Sequence, residues 1–159
     1  MPNKTTLAIA TGLGLGYSPV APGTAGSVLG VLLAFLFAFF AGSWQGVLDS
    51  PWFLLLSGAL FVLGVWAAGK AEVIFGQKDS GKIVIDEVVG MMLTLYLLPA
   101  TWLYLVLGFF FFRFFDIVKP FPARRIDMRM KGGLGVMLDD VAAAVYANLC
   151  LHLVRAALR

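Results

Sequence analysis

Charge is what this chain is short of. Only 13% of its 159 residues are Asp, Glu, Lys or Arg, while 60% are hydrophobic and the mean hydropathy is +0.91. Soluble domains carry roughly 25% charged residues, so this composition describes one integral membrane domain. The net charge of +3 is small, and no Lys/Arg run is interleaved with aromatics, which argues against a nucleic-acid partner. Cysteine is reduced to Cys150, which cannot form an internal disulfide and sits in the apolar run ANLCLHLV, where a thiol is inert. The single histidine, His152, has no second ligand near it and reads as a helix-end residue. Also missing are a GKS/GKT phosphate loop, a GxSxG elbow and a CxxxxxR loop, since Cys150 precedes Leu151 and Arg155 falls at the wrong spacing. Hydrolysis, if it occurs, must then use a metal-activated water or an aspartate nucleophile. Lys4 precedes a short apolar stretch, but glycines at 12, 14 and 16 and the SPVAPG segment interrupt it, so a cleaved signal peptide is not expected.

Crossing a bilayer as a helix takes about 20 predominantly apolar residues. Five stretches approach this: 24–41 after Pro22-Gly23, 52 to about 68 with an apolar continuation toward Phe75, 83–98, 102–118, and about 134–158. The expected fold is all-α, a polytopic membrane helix bundle of about five helical segments. The irregular TGLGLGYSPVAPG leads into it. A short interfacial helix is expected in RRIDMRMKGG, residues 124–133, where basic residues alternate with Ile126, Met128 and Met130. Each near-surface Lys or Arg adds about 1 kcal/mol of attraction to anionic lipid. The connections 42–51 and 99–101 hold no Lys or Arg, whereas Lys70, Lys78, Lys82, Lys119, Arg124, Arg125, Arg129 and Lys131 occupy the other two. The positive-inside rule makes those two cytoplasmic. Arg155 and Arg159 dissent, because a last helix that spans fully would carry them outside.

Against this background the acids need a common explanation. Asp79, Asp86-Glu87, Asp116 and Asp139-Asp140 lie within or beside apolar runs, where an ionised carboxylate costs about 2.5–3.5 kcal/mol even on mild insertion scales. The third and fourth segments are joined by the Pro99–Thr101 turn, with Asp86 thirteen residues before Pro99 and Asp116 fourteen after Trp102. At 1.5 Å per residue both descend about 20 Å from the outer edge of a hydrocarbon core about 30 Å thick. Asp139, four residues after Gly135, enters from the same side and reaches the same level. Two adjacent carboxylates about 5–6 Å apart repel by about 3 kcal/mol at an effective dielectric near 20, so each pair needs a cation or a proton. Oxygen donors without histidine or thiolate favour Mg²⁺ or Mn²⁺ over zinc. Helix capping or snorkelling to the surface stays open as the bland alternative, above all for Asp79, Glu87 and Asp140.

Arg113, Asp116 and Lys119 fall at i, i+3, i+6 on one helical face. Either Arg113 merely neutralises Asp116, or Asp116 binds metal while Arg113 and Lys119 contact phosphate oxygens as fork and point charge. Thr24, in GTAGS at the start of the first long helix, lies where free backbone N–H groups favour an anion, though Pro-Gly-Thr is also an ordinary helix start.

Together, GLGLGYSPVAPGTAGS, DSGKIVIDEVVGMM, FFRFFDIVKPFPARRID and GGLGVMLDDVAA resemble the phosphatidylglycerophosphatase A family, in the family's order across residues 12–143. The resemblance implies Mg²⁺-dependent removal of the terminal phosphate from the phospholipid phosphatidylglycerophosphate, giving phosphatidylglycerol and inorganic phosphate. The implied setting is the cytoplasmic face of the bacterial inner membrane. The family's acidic signature falls on Asp86, Glu87, Asp116, Asp139 and Asp140. Asp86, Asp116 and Asp139 are expected to ligate Mg²⁺, with Glu87 and Asp140 completing the shell or orienting water. Arg113, Lys119 and Lys82, with Thr24 and Arg124, are the candidates for binding substrate phosphate. The competing class is an ion-coupled transporter using buried acids, but the acids crowd toward one face and no inverted repeat is evident. Metal count, nucleophile and oligomeric state are not legible at this stage.

Overall fold

The computed structural model describes residues 4–42 and 48–158. Among them every regular element is helical: α1 (Lys4–Ala10), a 3-10 turn (Leu15–Tyr17), α2 (Pro22–Phe40), α3 (Pro51–Phe75), α4 (Ile85–Leu95), α5 (Trp102–Val118), α6 (Ala123–Arg129) and α7 (Gly133–Ala157). The five expected stretches appear as α2, α3, α4, α5 and α7, but the segment count falls short of the seven helices seen. α1 lies ahead of the irregular lead-in, and α6 starts one residue before the basic 124–133 stretch and ends within it. Three helices, α2, α3 and α7, are long and apolar enough to cross a membrane. Part of the expected outer loop, residues 43–47, and Arg159 lie outside the described residues.

α4 is the axis of the bundle. All its residues except Glu87 and Leu93 are buried, and α2, α3, α5 and α7 pack around it. Small residues on α2 permit the close approach: Gly26, Gly30, Ala34 and Ala38 form a buried stripe at period four, the small-xxx-small pattern of membrane helix interfaces. A Cβ added at Gly30 would sit 2.7 Å from both Met91 Cβ and the Val88 carbonyl. On α7, Ala143, Ala144 and Ala147 do the same work.

The contacts also give the directions. Gly23 and Gly26 of α2 lie against Glu87, and Gly30 against Met91, so α2 runs parallel to α4. Gly90 neighbours Asp140 while Asn148 reaches Thr94 and Tyr96, so α7 is parallel to α4 as well. α5 returns antiparallel, with Gly108 near Leu95 and Arg113 beside Glu87. α3 is antiparallel to α7, with Gly64 on Met137 and Gly69 on Gly133. The N-termini of α2, α4 and α7 therefore meet at one end of the bundle.

α4 is shorter than the apolar run 83–98 suggests. At 1.5 Å per residue its eleven residues rise only about 16 Å. Pro99 disfavours helix at Leu98, and Leu97 turns the chain with a positive φ of 63°. The carbonyls freed there are satisfied from α7. Asn148 Nδ2 donates to Thr94 O at 2.9 Å and Tyr96 O at 2.8 Å, and Arg155 donates to Leu97 O at 2.9 Å. This accounts for the dissenting Arg155, which is a cap at the end of the bundle opposite the acids.

Candidate carboxylate site

The lead-in fixes the start of α4. Val84 N donates to Ala10 O at 2.9 Å, and Gly16 lies so close to the Lys82 carbonyl that any side chain there would overlap it. This seats the 82–84 segment and sets Asp86 and Glu87 in the first turn of α4. Helix α7 enters between α3 and α4 with Asp139 and Asp140 in its second turn, both buried. Asp116 closes the last turn of α5. Asp86 and Asp116 thus lie at the same end of the bundle.

One carboxylate oxygen from each of Asp86, Glu87 and Asp140 lies within 4.8 Å of the other two. Asp86 Oδ1, Glu87 Oε2 and Asp140 Oδ2 are buried without a hydrogen-bond partner, as are Asp139 Oδ1 and Arg113 Nε. Buried polar groups are ordinarily paired, so this concentration of unpartnered atoms is the site's distinguishing property. Gly23, at the start of α2, leaves room for the approach of Glu87 and Arg113: an added Cβ would stand 3.1 Å from Arg113 Nη1 and would overlap Glu87 Oε1. None of α2, α4 and α7 has a side-chain N-cap, although the Gly135 N–H in the first turn of α7 already donates to the Gly132 carbonyl at 2.9 Å.

The other two acids have cationic partners. Arg113 Nη1 donates to Asp116 Oδ2 at 2.5 Å and lies 3.8 Å from Glu87 Oε1. The Lys119 ammonium donates to Asp139 Oδ2 and lies 3.5 Å from Asp127 Oδ2. Burial opposes the Lys119 charge, yet the contact with Asp139, helped by Asp127, holds its pKa above the ordinary lysine value. Among the described residues, Asp86, Glu87 and Asp140 bring ligand oxygens within 4.8 Å of one another, with Asp116 and Asp139 beside them on their cationic partners. Adjacent residues on a helix point about 100° apart, so Asp140 turns to the cluster while Asp139 turns to Lys119.

Thr24 lies partly buried in the first turn of α2, one residue from the Gly23 contact. Lys82 is set apart, exposed with its ammonium over the rings of Phe75 (5.2 Å) and Tyr17 (5.9 Å). Arg124 is exposed on α6. Asp127 escaped the sequence reading: it binds Lys119 and is also approached by Lys78 at 4.0 Å. Its i+3 spacing from Arg124 and Met130 gave no sign of that contact, which is made across the fold. Glu72 accepts from Asp79 N at 2.7 Å, fixing the loop after α3.

Asp86, Glu87 and Asp140 thus gather at one end of the bundle, with the ion pairs Arg113–Asp116 and Lys119–Asp139 beside them. Residues 8–155 match the phosphatidylglycerophosphatase A family. The chain belongs to that family. It is 36% identical to a Haemophilus influenzae protein named phosphatidylglycerophosphatase A over 92% of this chain and 86% of that one. An Escherichia coli protein of the same name is 35% identical over 92% of this chain and 81% of its own length. A Bacteroides thetaiotaomicron protein, provisionally named a phosphatidylinositol-3-phosphatase, is 39% identical over 97% of this chain and 96% of that one. No solved structure matches the chain significantly. In this member of the phosphatidylglycerophosphatase A family, Asp116 stands beside Arg113 and Asp139 beside Lys119, while Asp86, Glu87 and Asp140 each keep a buried oxygen without a hydrogen-bond partner.

Proposed function

We propose that this protein is a Mg²⁺-dependent lipid phosphatase that converts phosphatidylglycerophosphate to phosphatidylglycerol and inorganic phosphate in bacterial phospholipid synthesis. It would work at the cytoplasmic face of the inner membrane. The observation that carries the reading is the group Asp86, Glu87 and Asp140, two buried carboxylates and one partly buried, whose ligand oxygens lie within 4.8 Å and each of which keeps one buried oxygen without a hydrogen-bond partner. These residues fit the ion. Oxygen ligands on one octahedral Mg²⁺, each about 2.1 Å away, stand about 3.0 Å apart at neighbouring positions, so the three side chains, with ligand oxygens within 4.8 Å of one another, would draw together around the ion. When bound, Mg²⁺ supplies Lewis-acid polarisation of the phosphoryl group and a water of lowered pKa.

The chain's own residues do the rest. Arg113, held between Asp116 and Glu87 with Nε unpartnered, is poised at the edge of the carboxylate group to receive phosphate oxygens. Lys119 anchors one oxygen of Asp139 and leaves Oδ1 free to accept a proton from attacking water. The bare N-terminus of α2, with Thr24, offers backbone donors to the same anion. Lys82 and Arg124 serve as rim charges that draw the headgroup in, and α6 lies along the interface with Arg124, Arg125 and Arg129 toward anionic lipid. A transporter reading is disfavoured because, among the described residues, the buried acids all lie at one end of the bundle and the acid ahead of α3, Asp49, is exposed.

The relatives' names differ in headgroup but share a phosphomonoester on a phospholipid. Purified protein should therefore be offered phosphatidylglycerophosphate, phosphatidylinositol 3-phosphate and phosphatidic acid, with Mg²⁺ or with EDTA. Phosphate should be released from phosphatidylglycerophosphate most rapidly, only with the metal, and at least about a hundredfold more slowly by folded Asp86→Asn. No release from any of the three with Mg²⁺ present ends the proposal.

A further inference from the structure

α2 packs chiefly on α4 and α5 chiefly on α7, which leaves an open cleft between α2 and α5. It has a volume of about 260 Å³, and its accessible lining is entirely apolar: Val28 and Val31 from α2, and Trp102, Val106, Phe109 and Phe110 from α5, over the buried Leu105. Each wall is a helical stripe with the same plan. On α5, Trp102, Val106 and Phe109/Phe110 lead at steps of three and four to Arg113. On α2, Phe35, Val31 and Val28 lead by the same steps to Thr24. Arg113 and the start of α2 meet at the carboxylate site, beside Glu87 and Gly23. At the other end Phe35 stacks on Trp102, ring centroids 6.0 Å apart, and bridges the two walls.

The cleft is thus an apolar trough closed at one end by an aromatic pair, and its walls run on along α2 and α5 toward Thr24 and Arg113 at the charged site. From Trp102 to Arg113 is eleven residues, a rise of about 16 Å. A membrane protein gains nothing from an apolar trough as such, because lipid tails fill any lipid-facing hollow. What distinguishes this one is its continuity with the place where a phosphate would sit. We infer that the α2–α5 cleft seats an acyl chain of the lipid substrate, so that the chain positions the phosphomonoester over Asp86, Glu87 and Asp140. This rests on the phosphatase reading above. Remote apolar contact would then be used to orient the reacting group.

Val106, half-exposed midway along the cleft, is the place to fill it. Val106→Trp should lower kcat/KM for dipalmitoyl phosphatidylglycerophosphate at least about tenfold more than for the dihexanoyl lipid, since displacing even two methylenes from apolar contact is worth about that factor. Val62→Trp, on the exposed face of α3, should leave the ratio unchanged. On the unaltered protein, a phosphatidylglycerophosphate carrying a diazirine on one acyl chain should label Val31, Val106 and Phe110 above Leu55 and Val62. The excess should vanish with the matching lipid that lacks the terminal phosphate. Equal losses on both chain lengths, or labelling indifferent to the phosphate, would mean that bulk lipid fills the cleft and overturn the inference. A cleft that takes no label because a second copy of the chain covers it does so too. Unaltered protein that hydrolyses neither lipid refutes the phosphatase reading itself, an outcome distinct from hydrolysis without chain-length discrimination.

Discussion

Neutralising one member of the carboxylate group should stabilise the metal-free protein while destroying its activity. In Asp86, Glu87 and Asp140, ligand oxygens lie within 4.8 Å of one another, so each pair of ionised groups repels by about 3.5 kcal/mol at an effective dielectric of 20. Asp140→Asn removes two of the three pairs, an upper limit of about 7 kcal/mol on the same scale. Side-chain relaxation and water entry dissipate most of it, leaving a gain of about 1–3 kcal/mol. With Mg²⁺ the ranking reverses. A ligand at a hundred times its Kd stabilises the native state by about 2.7 kcal/mol, and the variant forfeits much of that. The assay is thermal unfolding of purified protein in detergent, each form measured in EDTA and in Mg²⁺, alongside phosphate release. The variant should melt several degrees above the unaltered protein in EDTA, respond weakly to Mg²⁺, and hydrolyse at least about a hundredfold more slowly. A variant that melts below the unaltered protein in EDTA, or Mg²⁺ that raises both equally, refutes the argument that these three acids share a cation.

Lys119→Met should destabilise by about 3 kcal/mol, because Asp139 is left as a buried charge without its partner, while Lys119→Met/Asp139→Leu recovers most of the loss; denaturant titration of the single and double variants measures this, and a neutral single variant contradicts it. Asn148→Leu removes both hydrogen bonds that close the end of α4 and should cost about 1–3 kcal/mol in unfolding experiments. Asn148 is remote from the acids, so phosphate release per folded molecule should persist, and a selective loss of turnover would count against its capping role.

The long apolar helices were readable because their signal is local. Composition and Pro/Gly punctuation placed residues 102–118 at the limits of α5, and put the ends of α2 and α7 within two residues of those found. α4 was overestimated because its end is decided elsewhere: the apolar run continues to Leu98, but the carbonyls of Thr94, Tyr96 and Leu97 are taken by Asn148 and Arg155, more than fifty residues away. α1 was missed because seven residues carry too little pattern, and its packing on α3 and its bond to Val84 supply what its sequence does not.

By itself, the sequence determined the environment and the inventory: a chain too apolar for water, with every acid but Asp49 toward one side and most of its cations in the connections of that side. Those are properties of residue type and spacing. Only the tertiary structure decided which acids keep a cationic partner and which do not. Asp139 and Asp140 are neighbours in the chain, yet one meets Lys119 and the other meets Asp86 and Glu87. That division follows from the rotation of α7, fixed where Gly133 presses on the backbone of Val65 and Gly69 and where Met137 fills the space beside Gly64. A helix's rotation about its own axis is set by contacts with distant helices, and no local pattern encodes it.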